Sequence, residues 1–223
     1  MSSLIHPDVL PQLAEVSIDP ERPLLICDAD EVLVRFMASL EHFLARRGLY
    51  YDWKEYDFRS TIRRHDDDVV VTPAEVRAIR DDFFHQQLEH LDAVPGASDS
   101  LQQLADHCQI IILTNLPVTV RDARRRGLTR HGMAYPVVAN QGGKGPTVRH
   151  LAGGVRAPVV FIDDMPQHHA SVAVAAGHVR RFQFIEDPRL ERLMGRSEDA
   201  HHQVDSWAAA LPLVEHELRQ RRW

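Results

Sequence analysis

Four short apolar runs, each leading into polar or charged residues, constrain this chain more than any other feature. Residues 23–27 precede Asp28-Ala29-Asp30, residues 110–113 precede Thr114-Asn115, residues 135–139 come shortly before Lys144, and residues 159–162 precede Asp163-Asp164. Apolar runs of four or five residues suit strands buried on both faces better than helices. Helix-like stretches separate them from residue 23 to about 185, and that alternation predicts an α/β fold with a mainly parallel sheet. Ligands of such sheets bind beyond the carboxyl ends of the strands. The four polar tips are therefore expected to converge on one crevice.

The first tip is the most telling. Successive strand residues face opposite sides, so Asp28 and Asp30 share a face only if the strand continues; if it breaks, one can turn inward from the loop. Either arrangement lets both reach one small site. Like charges that close raise each other's pKa unless a cation or a proton is shared, so the pair is expected to serve chemistry and not packing alone.

Phosphoryl transfer through a carboxylate needs a nucleophile, an acid for the leaving oxygen, a cation, and donors for the phosphoryl oxygens. The tips supply each. Asp28 is expected to attack phosphorus, and Asp30 to protonate the leaving group and then activate water. Thr114, Asn115 and Lys144, the last in Gly142-Gly143-Lys144-Gly145, are expected to hold the phosphoryl oxygens. Mg²⁺ favours carboxylate and water oxygens; its expected ligands are Asp28, Asp163 and Asp164, with Asp30 included in the metal-binding group. Each element alone has a plainer explanation: a turn for Thr-Asn, a flexible loop for the glycines, a helix cap for Asp-Asp.

A chain of 223 residues accommodates one buried core domain and a modest insertion. Its formal net charge of -6 argues against nucleic-acid or anionic-membrane partners. With no basic leader at the start and no run of about 20 apolar residues, a cytoplasmic location is expected. Cys27 and Cys108 each adjoin a strand-like run, so packing is expected in place of a disulfide.

The alternation is interrupted over residues 34–95, which read as at least two helices with no clear strand. Phe36, Leu40, Phe43 and Leu44 fall at helical spacing, Thr72-Pro73-Ala74-Glu75 forms a capping box with proline at the first helical position, and Val76, Ile79, Phe83, Leu88 and Leu91 continue an apolar stripe. Nine of the fifteen aromatic residues lie here, enough for a small core of its own and for a lid over the first tip. Trp53, Tyr56 and Arg59 are the candidates for touching a substrate. Farther on, residues 179–185 read as an edge strand and residues 203–219 as a final helix. The histidine pairs 168–169 and 201–202 are expected at the surface or at caps, and Arg121, Arg124, Arg125, Arg126 and Arg130 on a solvated helix face.

The ordered set of Asp28-x-Asp30, Thr114, Lys144 and Asp163-Asp164, each at its strand end, resembles the four motifs of the haloacid dehalogenase-like (HAD) hydrolase superfamily. The resemblance spans residues 23 to about 185. It implies a Rossmann-like three-layer core formed by residues 1–33 and 96–223 with a small helical cap at 34–95. It also implies a Mg²⁺-dependent phosphatase acting on a small phosphorylated molecule, with Asp28 as covalent nucleophile, Asp30 as acid/base, Thr114 and Lys144 as the phosphoryl-binding pair, and Asp163 and Asp164 as metal anchors. Rival expectations are a phosphomutase, a dehalogenase, which Asp30 disfavours, and a non-catalytic phosphate- or partner-binding protein. Glu31 departs from the family pattern by standing where many members have glycine, and Gln167 and His168 stand where a further acidic residue is common.

Overall fold

The computed structural model describes residues 4–220, except for the side chains of Phe58 and Arg59. A short helix, α1 (Leu10–Ala14), leads into β1 (Leu24–Cys27). There follow α2 (Phe36–Ala45), β2 (Leu49–Tyr51), α3 (Phe58–Thr61), β3 (Ile62–Arg64) and α4 (Pro73–Gln87). The chain then alternates through α5 (Ala97–Ala105), β4 (Gln109–Asn115), α6 (Arg121–Arg130), β5 (Val137–Asn140), α7 (Gly145–Ala152), β6 (Val159–Asp163), α8 (Pro166–Ala175) and β7 (Arg180–Phe184). It ends with α9 (Pro188–Met194), β8 (His202–Val204) and α10 (Trp207–Arg219).

Six strands form one parallel sheet in the order β5-β4-β1-β6-β7-β8. Alternate residues divide between its faces, as the strand period requires. Leu24, Ile26, Ile111, Leu113 and Phe161 pack with Leu13 of α1, Val148 of α7 and Val172 of α8. Leu25, Cys27, Ile110, Ile112 and Ile162 pack on the opposite side with Leu101 of α5, Leu128 of α6 and Trp207 of α10. The result is a three-layer α/β fold: the strand-helix alternation predicted the parallel α/β class, and the family resemblance implied the three layers. The chain winds outward from β1 through β4 to β5 with α5 and α6 on one face, then returns to β6 with α7 and α8 on the other. That reversal opens a crevice between the carboxyl ends of β1 and β6.

Four details differ from the sequence reading. The 34–95 stretch contains a two-stranded antiparallel ribbon, β2 with β3, whose three-residue strands are too short to show periodicity. Its buried side chains, Phe43 and Phe83 among them, are continuous with one face of the main sheet and do not form a separate core. Strand β7 is not an edge, because β8 pairs outside it; the final helix accordingly begins at Trp207 and not at 203. The expected capping box is present, Thr72 and Glu75 exchanging hydrogen bonds at the start of α4. Cys27 and Cys108 are free and buried, in line with a packing role. Among the described residues no helix is long and apolar enough to cross a membrane.

Candidate active site

Strand β1 ends at Cys27, and Asp28 makes one further sheet contact, its N–H donating to the Ile162 carbonyl at 2.9 Å. The chain then turns sharply, with the N–H groups of Leu33 and Val34 both donating to the Ala29 carbonyl. The strand therefore breaks between the two aspartates, and they face different partners.

Asp28 Oδ1 lies 2.7 Å from Lys144 Nζ and also accepts the Ala29 N–H. The same ammonium lies 2.6 Å from Asp163 Oδ2, and both Lys144 and Asp163 are fully buried. Asp163 Oδ1 accepts the Met165 N–H at 2.9 Å, which ties the tip of β6 to the start of α8. Lys144 reaches this position because α7 begins immediately against α8. A Cβ on Gly145 would stand 2.1 Å from the Ser171 carbonyl oxygen, so only glycine permits the approach. The Gly145 N–H donates to Ser171 Oγ at 3.0 Å.

Carboxylate oxygens of Asp28, Asp163 and Asp164 all lie within 4.8 Å of one another, and all three residues are buried. Three acids thus surround one ammonium. Burial, with Asp163 and Asp30 adding to it against the pull of Lys144, pushes Asp28 up to about 7. Burial and the neighbouring Asp163 and Asp28 likewise push Asp164 well up. Asp163 ends below the ordinary carboxylate range because Lys144 outweighs its burial. Lys144 ends above the ordinary amine range because Asp163 and Asp28 outweigh the desolvation of its charge. A compact set of hard oxygen donors with surplus negative charge is suited to a divalent cation such as Mg²⁺.

Asp30 takes no part in that triad. Its Oδ1 accepts from Arg124 Nη2 at 2.5 Å. Arg124, on α6, is 1 % exposed, and its Nε and Nη1 have no hydrogen-bond partner. The sequence reading set Arg124 on a solvated helix face. The structure corrects this, since α6 turns that one residue of the arginine run inward beneath the tip of β1. Arg121 and Arg126 do meet surface acids, Glu15 and Glu89.

Thr114 is fully buried, and its hydroxyl has no partner. Asn115 lines the cavity above the site, but its amide is already engaged: Nδ2 donates to the Gly142 carbonyl at 2.9 Å and Oδ1 accepts from Asn140 Nδ2 at 2.7 Å. It thereby holds the loop that carries Lys144 against β4. The cavity encloses about 230 Å³ and is bounded by Asp28, Asp30 and Asp164 below and by Phe36, Tyr56, Arg80 and Phe84 above.

Of the three substrate-contact candidates, Tyr56 lines this cavity, and its phenol is pushed well up by burial and by Asp164. Trp53 is engaged elsewhere: its Nε1 donates to Glu41 at 2.7 Å and the Arg189 guanidinium covers its ring at 4.0 Å. The Arg59 side chain lies outside the described residues. Phe36, Arg80 and Phe84 were not singled out; their spacing on α2 and α4 carries no signal beyond an amphipathic helix.

Glu31 adopts a left-handed φ of 60°, a conformation that favours glycine at this position. Its carboxylate accepts the Met37 N–H at 2.6 Å and so caps α2. Burial pushes it up to about 7. His168 and His169 are buried rather than superficial, correcting the expectation, because α8 packs its first turn against the site. His169 Nε2 donates to the Asp163 carbonyl at 2.9 Å, and His168 Nε2 accepts a long contact of 3.4 Å from Asn115. Burial lowers His168 to about 4, so its ring is neutral at pH 7.

No protein-family model matches the chain, and no curated protein matches it. Solved structures do. A HAD family hydrolase from Deinococcus radiodurans, with bound phosphate and sodium, is 18% identical with a TM-score of 0.60, covering 92% of this chain and 100% of that one. A haloacid dehalogenase-like family hydrolase from Streptococcus pneumoniae is 8% identical with a TM-score of 0.60, over 86% and 98% of the two chains. A protein from Haemophilus somnus described as a predicted phosphoglycolate phosphatase is 15% identical with a TM-score of 0.59, over 89% and 100%. At these identities the likeness concerns the backbone, and the fold of this chain is that of the haloacid dehalogenase-like hydrolases.

Proposed function

We propose that this chain is a Mg²⁺-dependent phosphohydrolase that acts on a small phosphorylated molecule through an aspartyl-phosphate at Asp28. The observation that carries the reading is the meeting of Asp28, Lys144, Asp163 and Asp164 at the carboxyl ends of β1 and β6, with a buried Thr114 hydroxyl that has no protein partner near the end of the neighbouring strand β4. A buried polar group without a partner is costly, and a phosphoryl oxygen would satisfy it. The named relatives support the reading: one carries phosphate, and another is described as a predicted phosphatase.

In this proposal Asp28 attacks phosphorus, and Lys144 and Thr114 hold the phosphoryl oxygens. Asp30 hands a proton to the leaving oxygen and then takes one from the water that cleaves the acyl phosphate, with Arg124 fixing its orientation. Asp28, Asp163 and Asp164 would hold Mg²⁺, which when bound supplies the positive charge that three acids and one ammonium lack. Residues 34–95 form the cap over the core of 1–33 and 96–223, of which 4–33 and 96–220 are described, with Phe36, Tyr56, Arg80 and Phe84 as its contacts to the site cavity. A reducing, cytoplasmic location accords with two free cysteines.

The test is phosphate release from a panel of phosphorylated metabolites with and without Mg²⁺, with Asp28→Asn as the blank. Release that needs Mg²⁺ and falls about 10³-fold or more in Asp28→Asn is expected. Release by that variant at near the parent rate overturns the assignment. Product analysis separates transfer to water from transfer to a second hydroxyl, which a mutase would perform.

A further inference from the structure

Building on the phosphohydrolase reading, we propose that the alcohol portion of the substrate is apolar, an aliphatic or aromatic phosphate monoester, and that it lies in a second cavity between α2 and α4. This cavity has a volume of about 330 Å³ and is lined by Leu40, Ile62, Val76, Ile79 and Phe83, and by the exposed Arg77. Phe36 and Arg80 line it and the catalytic cavity alike. The two spaces therefore adjoin at these two side chains.

The boundary is aromatic. The Phe36 ring meets Phe83 edge-on at 5.0 Å and Phe84 at 6.3 Å; Phe83 lines the second cavity and Phe84 the first. An apolar space that shares two wall residues with a cavity floored by carboxylates has the form of a ligand site, in which apolar walls take up the body of the ligand and a few polar groups orient it. A sugar facing Leu40, Ile62 or Val76 would lose water without gaining hydrogen-bond partners; the charged side chains of the lining, Arg77 and Arg80, are exposed. Arg80 at the junction is exposed, and its guanidinium is paired with the Asp81 carboxylate at 3.0 Å.

The experiment uses ethyl, butyl, hexyl and octyl phosphate with the full-length chain. Binding to Asp28→Asn is measured by titration calorimetry, and phosphate release by the parent protein is measured with Mg²⁺. Affinity is expected to rise about three- to fourfold per methylene until the cavity is full. Val76→Trp, which fills the cavity, is expected to flatten that rise. If that variant fails to fold, the chain-length series in Asp28→Asn decides by itself. Affinity independent of chain length overturns the inference, as does a rise that Val76→Trp, folded, leaves unchanged. Chain-dependent binding without phosphate release from any ester leaves the apolar site standing and overturns the phosphohydrolase reading. Release with no chain dependence does the reverse.

Discussion

The floor and the upper wall of the cavity are built on opposite principles. The floor consists of strand tips in which Asp28, Lys144 and Asp163 are joined by contacts of 2.6–2.7 Å at near-complete burial. The wall consists of Phe36, Tyr56, Arg80 and Phe84, brought together by helix packing and ring contacts. Charges buried in a rigid sheet are held where chemistry needs them and tolerate little change. An apolar wall holds its shape by dispersion and area alone, so its residues can vary while the floor stays the same. On the function proposed above, the chemistry falls to the floor and the choice of substrate to the wall. Glu31 links the two, following Asp30 in the turn and capping the helix that carries Phe36.

The sharpest way to break this comparison is Lys144→Met. It removes the cation shared by Asp28 and Asp163, and turnover is expected to fall about 10²–10³-fold, the usual effect of deleting a donor to a reacting oxygen. Stability is expected to drop by about 3 kcal/mol at neutral pH and by less at pH 5, where the stranded carboxyls take up protons. Denaturant unfolding at the two pH values, with a steady-state assay, checks this. A fully active, equally stable variant would show that the floor is not held by charge pairing.

The second prediction concerns pH. Asp28 and Glu31 are both pushed up to about 7 in the folded chain from ordinary values of 3.8 and 4.5. Between about pH 4 and 7 the folded state therefore binds more protons than the unfolded state, and stability from these two groups falls as pH rises through that window, then levels. Mg²⁺ is expected to reduce the fall, because it stabilises the ionised acids of the floor; Glu31→Gln is expected to remove the part that belongs to the turn. Melting temperatures at pH 5, 6, 7 and 8, with and without Mg²⁺, report both. A stability that rises steadily over this range contradicts the charge balance described for the floor.

The smallest expected effect is at the link. Glu31→Ala loses the cap on α2 and keeps the left-handed backbone, costing about 1–2 kcal/mol. Glu31→Gly loses the same cap but relieves the backbone, and is expected to be less destabilised by about 1 kcal/mol. Equal destabilisation of the two variants would mean that the left-handed turn carries no strain. Chemical denaturation distinguishes the outcomes.

The floor was legible in the sequence because each of its residues follows a short apolar run. The run predicts a buried strand, and position beyond its end predicts a place at the crevice. Arg124 was not legible, because in a helix with Arg121, Arg125 and Arg126 nothing in the local pattern marks the one side chain that points inward. Asn115 was read as a ligand contact and lines the cavity, but that its amide also binds Gly142 and Asn140, partners 27 and 25 residues away, left no local sign. Strand β8 and the β2–β3 ribbon have three residues each, too few for a periodic signal. Trp53 was an aromatic in the right segment whose direction depends on Glu41 and Arg189, one of them in a distant helix.

The sequence by itself therefore determined the α/β alternation, the parallel core strands and the residue types at their tips, since burial on both faces and the strand period are properties of local runs. Tertiary structure alone decided which charges pair, that Asp30 turns to Arg124 while Asp28 turns to Lys144, and that an apolar cavity adjoins the site. Those outcomes depend on which helix faces come together across the sheet, and contacts between residues far apart in the chain leave no local pattern to read.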